Sequence, residues 1–151
     1  QAFKMIFILG KYKVSEVKTT GGNAISRQVF EVNLSKTEPE KAILVRNQKM
    51  YLYIKKVAET EEAGGNRPPI EGVKFVYGKA VQMQIRREEH TQQTKNGLIK
   101  LEGLITATYC IQETAVPAGY VLDNTVYKFT VDANGLVKNE QGYTMVIEIV
   151  I

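Results

Sequence analysis

The sequence predicts an all-β protein of sandwich type, and three observations carry that prediction. Apolar and polar residues alternate with period two in short runs such as Tyr127 to Val131 and Thr144 to Ile151, the pattern of strands with one buried face. Gly, Asn and Pro stand between those runs, where turn geometry favours them. No stretch carries the 3.6-residue period of an amphipathic helix. With 151 residues, 44% of them hydrophobic, the chain is long enough to bury one full core and part of another.

Taken from the N-terminus, Tyr12, Val14 and Glu16 share one face of a first strand, and a second strand spans Val29 to Leu34. A polar turn around Glu38-Pro39-Glu40 leads to a strand expected from Ala42 to Asn47, in which Ile43, Val45 and Asn47 share a face. An amide therefore ends an apolar stripe. Leu52, Ile54 and Lys56 repeat the oddity with an amine. Glu59 to Pro69, rich in Glu and Gly and closed by Arg67-Pro68-Pro69, is a loop. Arg86-Arg87-Glu88-Glu89-His90 reads as a second, solvated loop. Tyr109, Ile111 and Glu113 line one face of a strand that closes at the sharp turn Pro117-Ala118-Gly119-Tyr120. A carboxylate thus sits where a core residue belongs. A buried carboxylate and a buried amine each cost several kcal/mol, in order of magnitude, unless they pair or neutralise each other.

The chain contains an internal repeat. Tyr12, Val14 and Glu16 match Tyr109, Ile111 and Glu113, and Gly22 follows Glu16 at the same distance as Gly119 follows Glu113. Gln1 to Ile6 also reads like Gly72 to Tyr77, and Phe7 to Tyr12 like Gly103 to Tyr109. That pattern leads us to expect residues absent before Gln1 and between Ile6 and Phe7.

Composition excludes several functional classes. A single cysteine, Cys110, rules out an intrachain disulfide, and its place on the strand face opposite Tyr109 and Ile111 suits a small packed side chain. One histidine, His90, with one cysteine builds neither a metal cluster nor a catalytic triad. The net charge of +4 is spread without any block of five like charges, which describes an ordinary mixed surface. Basic and aromatic residues form no nucleic-acid module. Residues 1–151 contain no signal peptide, no run of eighteen apolar residues and no wall-sorting motif; any such elements are expected outside them. Neither a cofactor nor a metal is implied.

Lys55-Lys56-Val57, the run Ile70-Glu71-Gly72-Val73-Lys74-Phe75, Asn96-Gly97-Leu98 through Leu104, and Tyr109 to Tyr120 together resemble a collagen-adhesin B-type (CnaB) module. The likeness covers residues 50 to 151, and its Glu-x-x-x-Pro-x-Gly-Tyr segment is its most specific part. It implies tandem immunoglobulin-like sandwiches, with residues 1–48 the C-terminal part of a first, incomplete module and residues 49–151 a second. In such modules a first-strand Lys condenses with a last-strand Asn, helped by a Glu, into an intramolecular isopeptide bond. The residues implied are Lys56 and Asn47 for bond formation and Glu113 and Glu16 as helpers. Lys56 follows Asn47 closely, as when one module's last strand runs into the next module's first, with Gln48 to Met50 as connector. Lys55 shares a face with Tyr51 and Tyr53 instead, so Lys56 is the preferred nucleophile. No Asn or Asp lies between Glu140 and Ile151. The partner of Lys56 is thus expected beyond Ile151, or this module makes no bond; the lysine partner of Asn47 is likewise missing.

The chemistry follows from burial, which favours the neutral forms of an amine and of a carboxylic acid. A neutral Lys56 is a nucleophile, and a protonated Glu113 can donate to the Asn carboxamide oxygen and then move protons as ammonia leaves. A buried Lys-Glu ion pair without condensation is the competing reading of the same residues. The resemblance implies a stalk or minor (ancillary) pilin subunit outside the cell, on the wall or pilus of a Gram-positive bacterium. Its partners are then other pilin subunits joined by sortase, with a host matrix or cell-surface ligand as a further partner; no nucleic acid and no membrane are implied. It is not an enzyme, since the turnover is single and internal. Two other classes stay open: a host-ligand-binding module using the loops at Glu59 to Pro69 and Arg86 to Gly97, and a sugar-binding accessory sandwich, which would expose Tyr51, Tyr53 and Tyr77.

Overall fold

A computed structural model describes residues 6–82 and 85–150; the likeness expected between Gln1 to Ile6 and Gly72 to Tyr77 falls almost wholly outside them. The all-β expectation holds, for no helix forms among the described residues. Two sheets face each other from Met50 onward. One contains β5 (Tyr51–Val57), β8 (Leu98–Glu102) and β13 (Val146–Val150), ordered β13-β5-β8. The other has six strands: β6 (Lys74–Val81), β7 (Ile85–Gln93), β9 (Ala107–Ala115), β10 (Tyr127–Val131), β11 (Val137–Asn139) and β12 (Gly142–Tyr143), ordered β12-β11-β10-β9-β6-β7.

The core is the meeting of their inner faces. Leu52, Ile54, Ile99, Leu101, Ile147 and Ile149 from the smaller sheet pack with Phe75, Tyr109, Ile111, Phe129 and Val131 from the larger. Burial of each such side chain is worth about 1.5–3 kcal/mol. Tyr109 and Phe129, opposite each other on β9 and β10, stack at 5.4 Å. β13 runs parallel to β5, with Ile149 opposite Lys56. Cys110 is fully buried.

The expected loop at Arg86 to His90 is instead part of β7, where His90 lies opposite Tyr77 and Arg87 opposite Lys79. β7 is the edge of its sheet. Charged side chains there discourage pairing with other chains, and they erase the alternation by which a strand is recognised. Glu59 to Pro69 is a loop as expected, anchored by a single bridge from Pro69 to Val57.

Upstream, β1 (Gly10–Ser15) and β3 (Val29–Leu34) form an antiparallel pair of their own. Its register repeats that of β9 and β10: Tyr12 lies opposite Val32 and Val14 opposite Phe30, as Tyr109 lies opposite Phe129 and Ile111 opposite Tyr127. The Tyr12 hydroxyl donates to the carbonyl of Ile8, and the Tyr109 hydroxyl to that of Ile105 at 2.7 Å. The strand expected over Ala42 to Asn47 does not form, and Leu44 and Val45 are exposed. A strand exists only with a neighbour to complete its ladder, and among the described residues none lies alongside.

The connector expected at Gln48 to Met50 is a paired segment. β2 (Asn23–Ala24) pairs with β4 (Gln48–Lys49), and Met50 is fully buried in the sandwich core. The Met50 N–H donates to Gly22 O and the Ile25 N–H to Asn134 O, both at 2.9 Å. Gly135 carries a φ of 72°, and a Cβ there would lie 2.1 Å from the carbonyl oxygen of Asn23. Only glycine admits that approach of one backbone to another.

Candidate functional site

Lys56 and Glu113 are the only charged residues buried in the sandwich among the described residues. Each ends an apolar stripe for a local reason. Lys56 follows Leu52 and Ile54 on the inner face of β5, and Glu113 follows Tyr109 and Ile111 on the inner face of β9. The two stripes end at the same end of the sandwich, so Lys56 Nζ meets Glu113 Oε1 in an ion-pair contact with both side chains fully buried. The contact is not aligned as a hydrogen bond, and neither atom has another hydrogen-bond partner among the described residues. Lys55, one residue away, points outward and lies 3.5 Å from Glu148, with both side chains near half exposure.

The other carboxylate oxygen of Glu113 is held. Glu113 Oε2 accepts the main-chain N–H of Asp123 at 2.9 Å. Asp123 in turn accepts the N–H of Thr125 at 2.9 Å through Oδ1 and the hydroxyl of Tyr127 through Oδ2. Burial acts to raise the Asp123 carboxyl, but the hydrogen bonds from Thr125 and Tyr127, with the charge of Lys56, hold it below the usual carboxylate range. Burial, and then the bond to Asp123, pushes the Tyr127 phenol up to about 12. Sequence reasoning missed Asp123 and Tyr127. The available signal was the offset from Glu to the turn residue, which recurs upstream.

There, Glu16 Oε2 accepts the N–H of Ser26 at 2.6 Å, and the Ser26 hydroxyl accepts the N–H of Gln28 at 3.3 Å. Ser26 follows Glu16 by the same ten residues that separate Asp123 from Glu113. Glu16 Oε2 also accepts from Asn47 Nδ2 at 2.7 Å, and Asn47 Nδ2 reaches Ala24 O at 3.2 Å. Glu16 is half-buried and Asn47 exposed. The structure therefore brings the four expected residues together as two separate pairs: an acid with an amide in Glu16 and Asn47, and an acid with an amine in Glu113 and Lys56.

The tyrosines considered for sugar binding form no exposed row. Tyr77 is buried and accepts from Gln92 Nε2 at 3.1 Å. Tyr51 and Tyr53 are half-buried, meet edge to face at 5.7 Å, and lie under Lys100 Nζ at 5.4 and 5.8 Å.

A family model described as the SpaA prealbumin-like fold domain matches residues 52–143. This meets the expected resemblance to a CnaB-type module, and the match lies within residues 50–151. Among solved structures, the chain is similar to the TIE protein of Bacillus anthracis, at 21% identity and a TM-score of 0.45 over 95% of this chain and 24% of that one. It is similar to a streptococcal ancillary pilin at 24% identity and a TM-score of 0.44, over 95% of this chain and 42% of that one. It is also similar to BcpA, the major pilin subunit of Bacillus cereus, at 26% identity and a TM-score of 0.43, over 67% and 27%. The chain thus spans less than half the length of each of these proteins. No curated protein matches it.

Proposed function

Given that the chain belongs to the family of SpaA prealbumin-like fold domains, we propose that it is a structural segment of a Gram-positive surface pilus or adhesin stalk, crosslinked internally by Lys-Asn isopeptide bonds. The observation that carries this reading is the fully buried contact of Lys56 with Glu113. A buried ion pair is a weak route to stability compared with well-packed apolar side chains, so its presence in the core is better accounted for by chemistry.

In that chemistry the Lys56 amine attacks the carboxamide carbon of an Asn, a C–N bond forms, the C–NH2 bond breaks, and the amine's proton leaves with ammonia. Glu113 lends a proton to the carboxamide oxygen, takes the amine's proton and passes it to the leaving nitrogen, and recovers its own as the carbonyl re-forms. The Glu16 and Asn47 pair supports this reading: Glu16 Oε2 accepts from Asn47 Nδ2, the nitrogen that would leave. We assign Asn47 to a first module ending at residue 48 and Lys56 to a second beginning at 49, so the two serve different bonds. Prior contact of the reactants inside a packed core replaces a bimolecular encounter.

A bond between first and last strands closes a loop of about a hundred residues, worth about 4–5 kcal/mol in the chain-entropy model. It also carries tension from one terminal strand directly to the other. The segment acts once on itself and is not an enzyme; its place is an ancillary subunit outside the cell, assembled with other pilin subunits through sortase. The test is the intact mass of a protein containing both complete modules. We expect a deficit of one ammonia per bond and a crosslinked tryptic peptide containing Lys56; an unmodified mass overturns the proposal.

A further inference from the structure

A glutamate that must place one oxygen against an amine has three rotatable bonds and two equivalent oxygens, and fixing such a side chain costs rotamer entropy. Here the fixing is built into the backbone. Glu113 Oε2 is occupied by the Asp123 N–H, which leaves Oε1 to face Lys56. The Asp123 turn is tied down three times. Its carboxylate accepts the Thr125 N–H and the Tyr127 hydroxyl, and Gln112 Nε2 donates to the carbonyl of Asn124 at 3.0 Å. Gln112 neighbours Glu113 on β9, and Tyr127 sits opposite Ile111 on β10. The strands that present Glu113 therefore also hold the turn that orients it.

The upstream unit repeats the turn and its N–H contact to the glutamate with different residues. Glu16 Oε2 accepts the Ser26 N–H, and the Ser26 side chain accepts the N–H two residues on, as Asp123 does. Phe30 stands at the position of Tyr127 in the matching register. The hydroxyl tie is an addition of the second unit. A turn that recurs in backbone and side-chain hydrogen bonding while its residue changes from Ser to Asp is retained for the N–H it aims.

We propose that Asp123 is a positioning residue for Glu113: its carboxylate locks a turn whose N–H captures Glu113 Oε2 and directs Oε1 at Lys56. This rests on reading Lys56 and Glu113 as a reactive pair. Ser26 likewise fixes its acid, but there the captured oxygen, Glu16 Oε2, is also the one that accepts from Asn47 Nδ2.

The test is NMR of the full chain with three variants, Asp123→Ala, Asp123→Asn and Tyr127→Phe, each read by amide exchange at residue 123 and by the three-bond couplings of the Glu113 side chain. In wild type we expect a protected amide and couplings of a single rotamer. Asp123→Ala should lower protection by about tenfold, the order of one lost hydrogen bond, and average the Glu113 couplings. Asp123→Asn keeps Oδ1 as an acceptor and should restore both. Tyr127→Phe, a mild change, should shift both readouts in the same direction as Asp123→Ala by less. Single-rotamer couplings in a folded Asp123→Ala chain, or equal effects of Ala and Asn, overturn the proposal. Intact mass in the two-module protein separates this from failure of the bond reading: no ammonia loss with the wild-type clamp intact rejects the bond alone.

Discussion

Lys56 on β5 and Glu113 on β9 place opposite charges in contact at the end of the sandwich, with no exposure of either side chain. Removing one member leaves the other buried without a counter-charge, which costs about 3–5 kcal/mol. Glu113→Ala should therefore destabilise the chain by that amount in urea unfolding. The double change Lys56→Met with Glu113→Leu removes both charges and should recover most of the loss. A double variant as unstable as the single one would show that the pair is not an isolated energetic unit.

The two acid pairs are expected to act independently. In a protein with both modules complete, Asn47→Ala should abolish one ammonia loss and leave the crosslink at Lys56 in place. Glu16→Ala should do the same, since it removes the carboxylate that accepts from Asn47 Nδ2. Peptide mapping that finds the Lys56 crosslink lost in either variant would place all four residues in one site.

Tyr127 gives the chain an alkaline signature. Its folded-state value is raised from 10.0 to about 12, so the neutral phenol is favoured in the folded state. The resulting stability is complete below pH 10, then lost as pH rises toward 12. Tyr127→Phe should flatten that part of the stability curve relative to wild type. Asp123 acts at the other end. Its carboxyl is held below the ordinary 3.8, so its contribution is present above that pH and declines as pH falls further; Asp123→Asn should remove the decline. Unchanged curves for the two variants would sever these groups from stability.

At the junction, Gly135→Val places a β-branched side chain at a φ of 72° and against the Asn23 carbonyl. Backbone strain of this kind costs about 1–3 kcal/mol, and the clash adds to it. We expect amide exchange to rise at Ile25 and Met50, whose N–H groups bond across this contact region, while Ile54 and Ile111 stay protected. Uniform loss of protection throughout the sandwich would mean that the junction and core unfold as one unit.

The inward direction of Lys56 and Glu113 was legible in the sequence because side-chain facing is a local property of the pleat: two residues beyond Ile54 or Ile111, a side chain must enter the same face. The Glu16 and Glu113 repeat was legible for the same reason, since its strand spacing needs no partner to be seen. The meeting of Lys56 with Glu113 is expected from the cost of burying either alone, but where in the fold they meet depends on which strands occupy facing sheets and where their stripes end. Asp123 went unread because its contact with Glu113 is made by a backbone N–H; the ten-residue spacing shared with Glu16 and Ser26 marks the position, but the contact itself is visible only once the turn is folded over β9. Strand assignment failed where local pattern and pairing disagree. Ala42 to Asn47 alternates but, among the described residues, has no neighbour alongside it, whereas Arg87 to His90, polar throughout, is held as a strand by its ladder with β6. Alternation is written along the chain; a ladder is a non-local hydrogen-bonding contract between two segments, and only the tertiary structure decides which segments satisfy it.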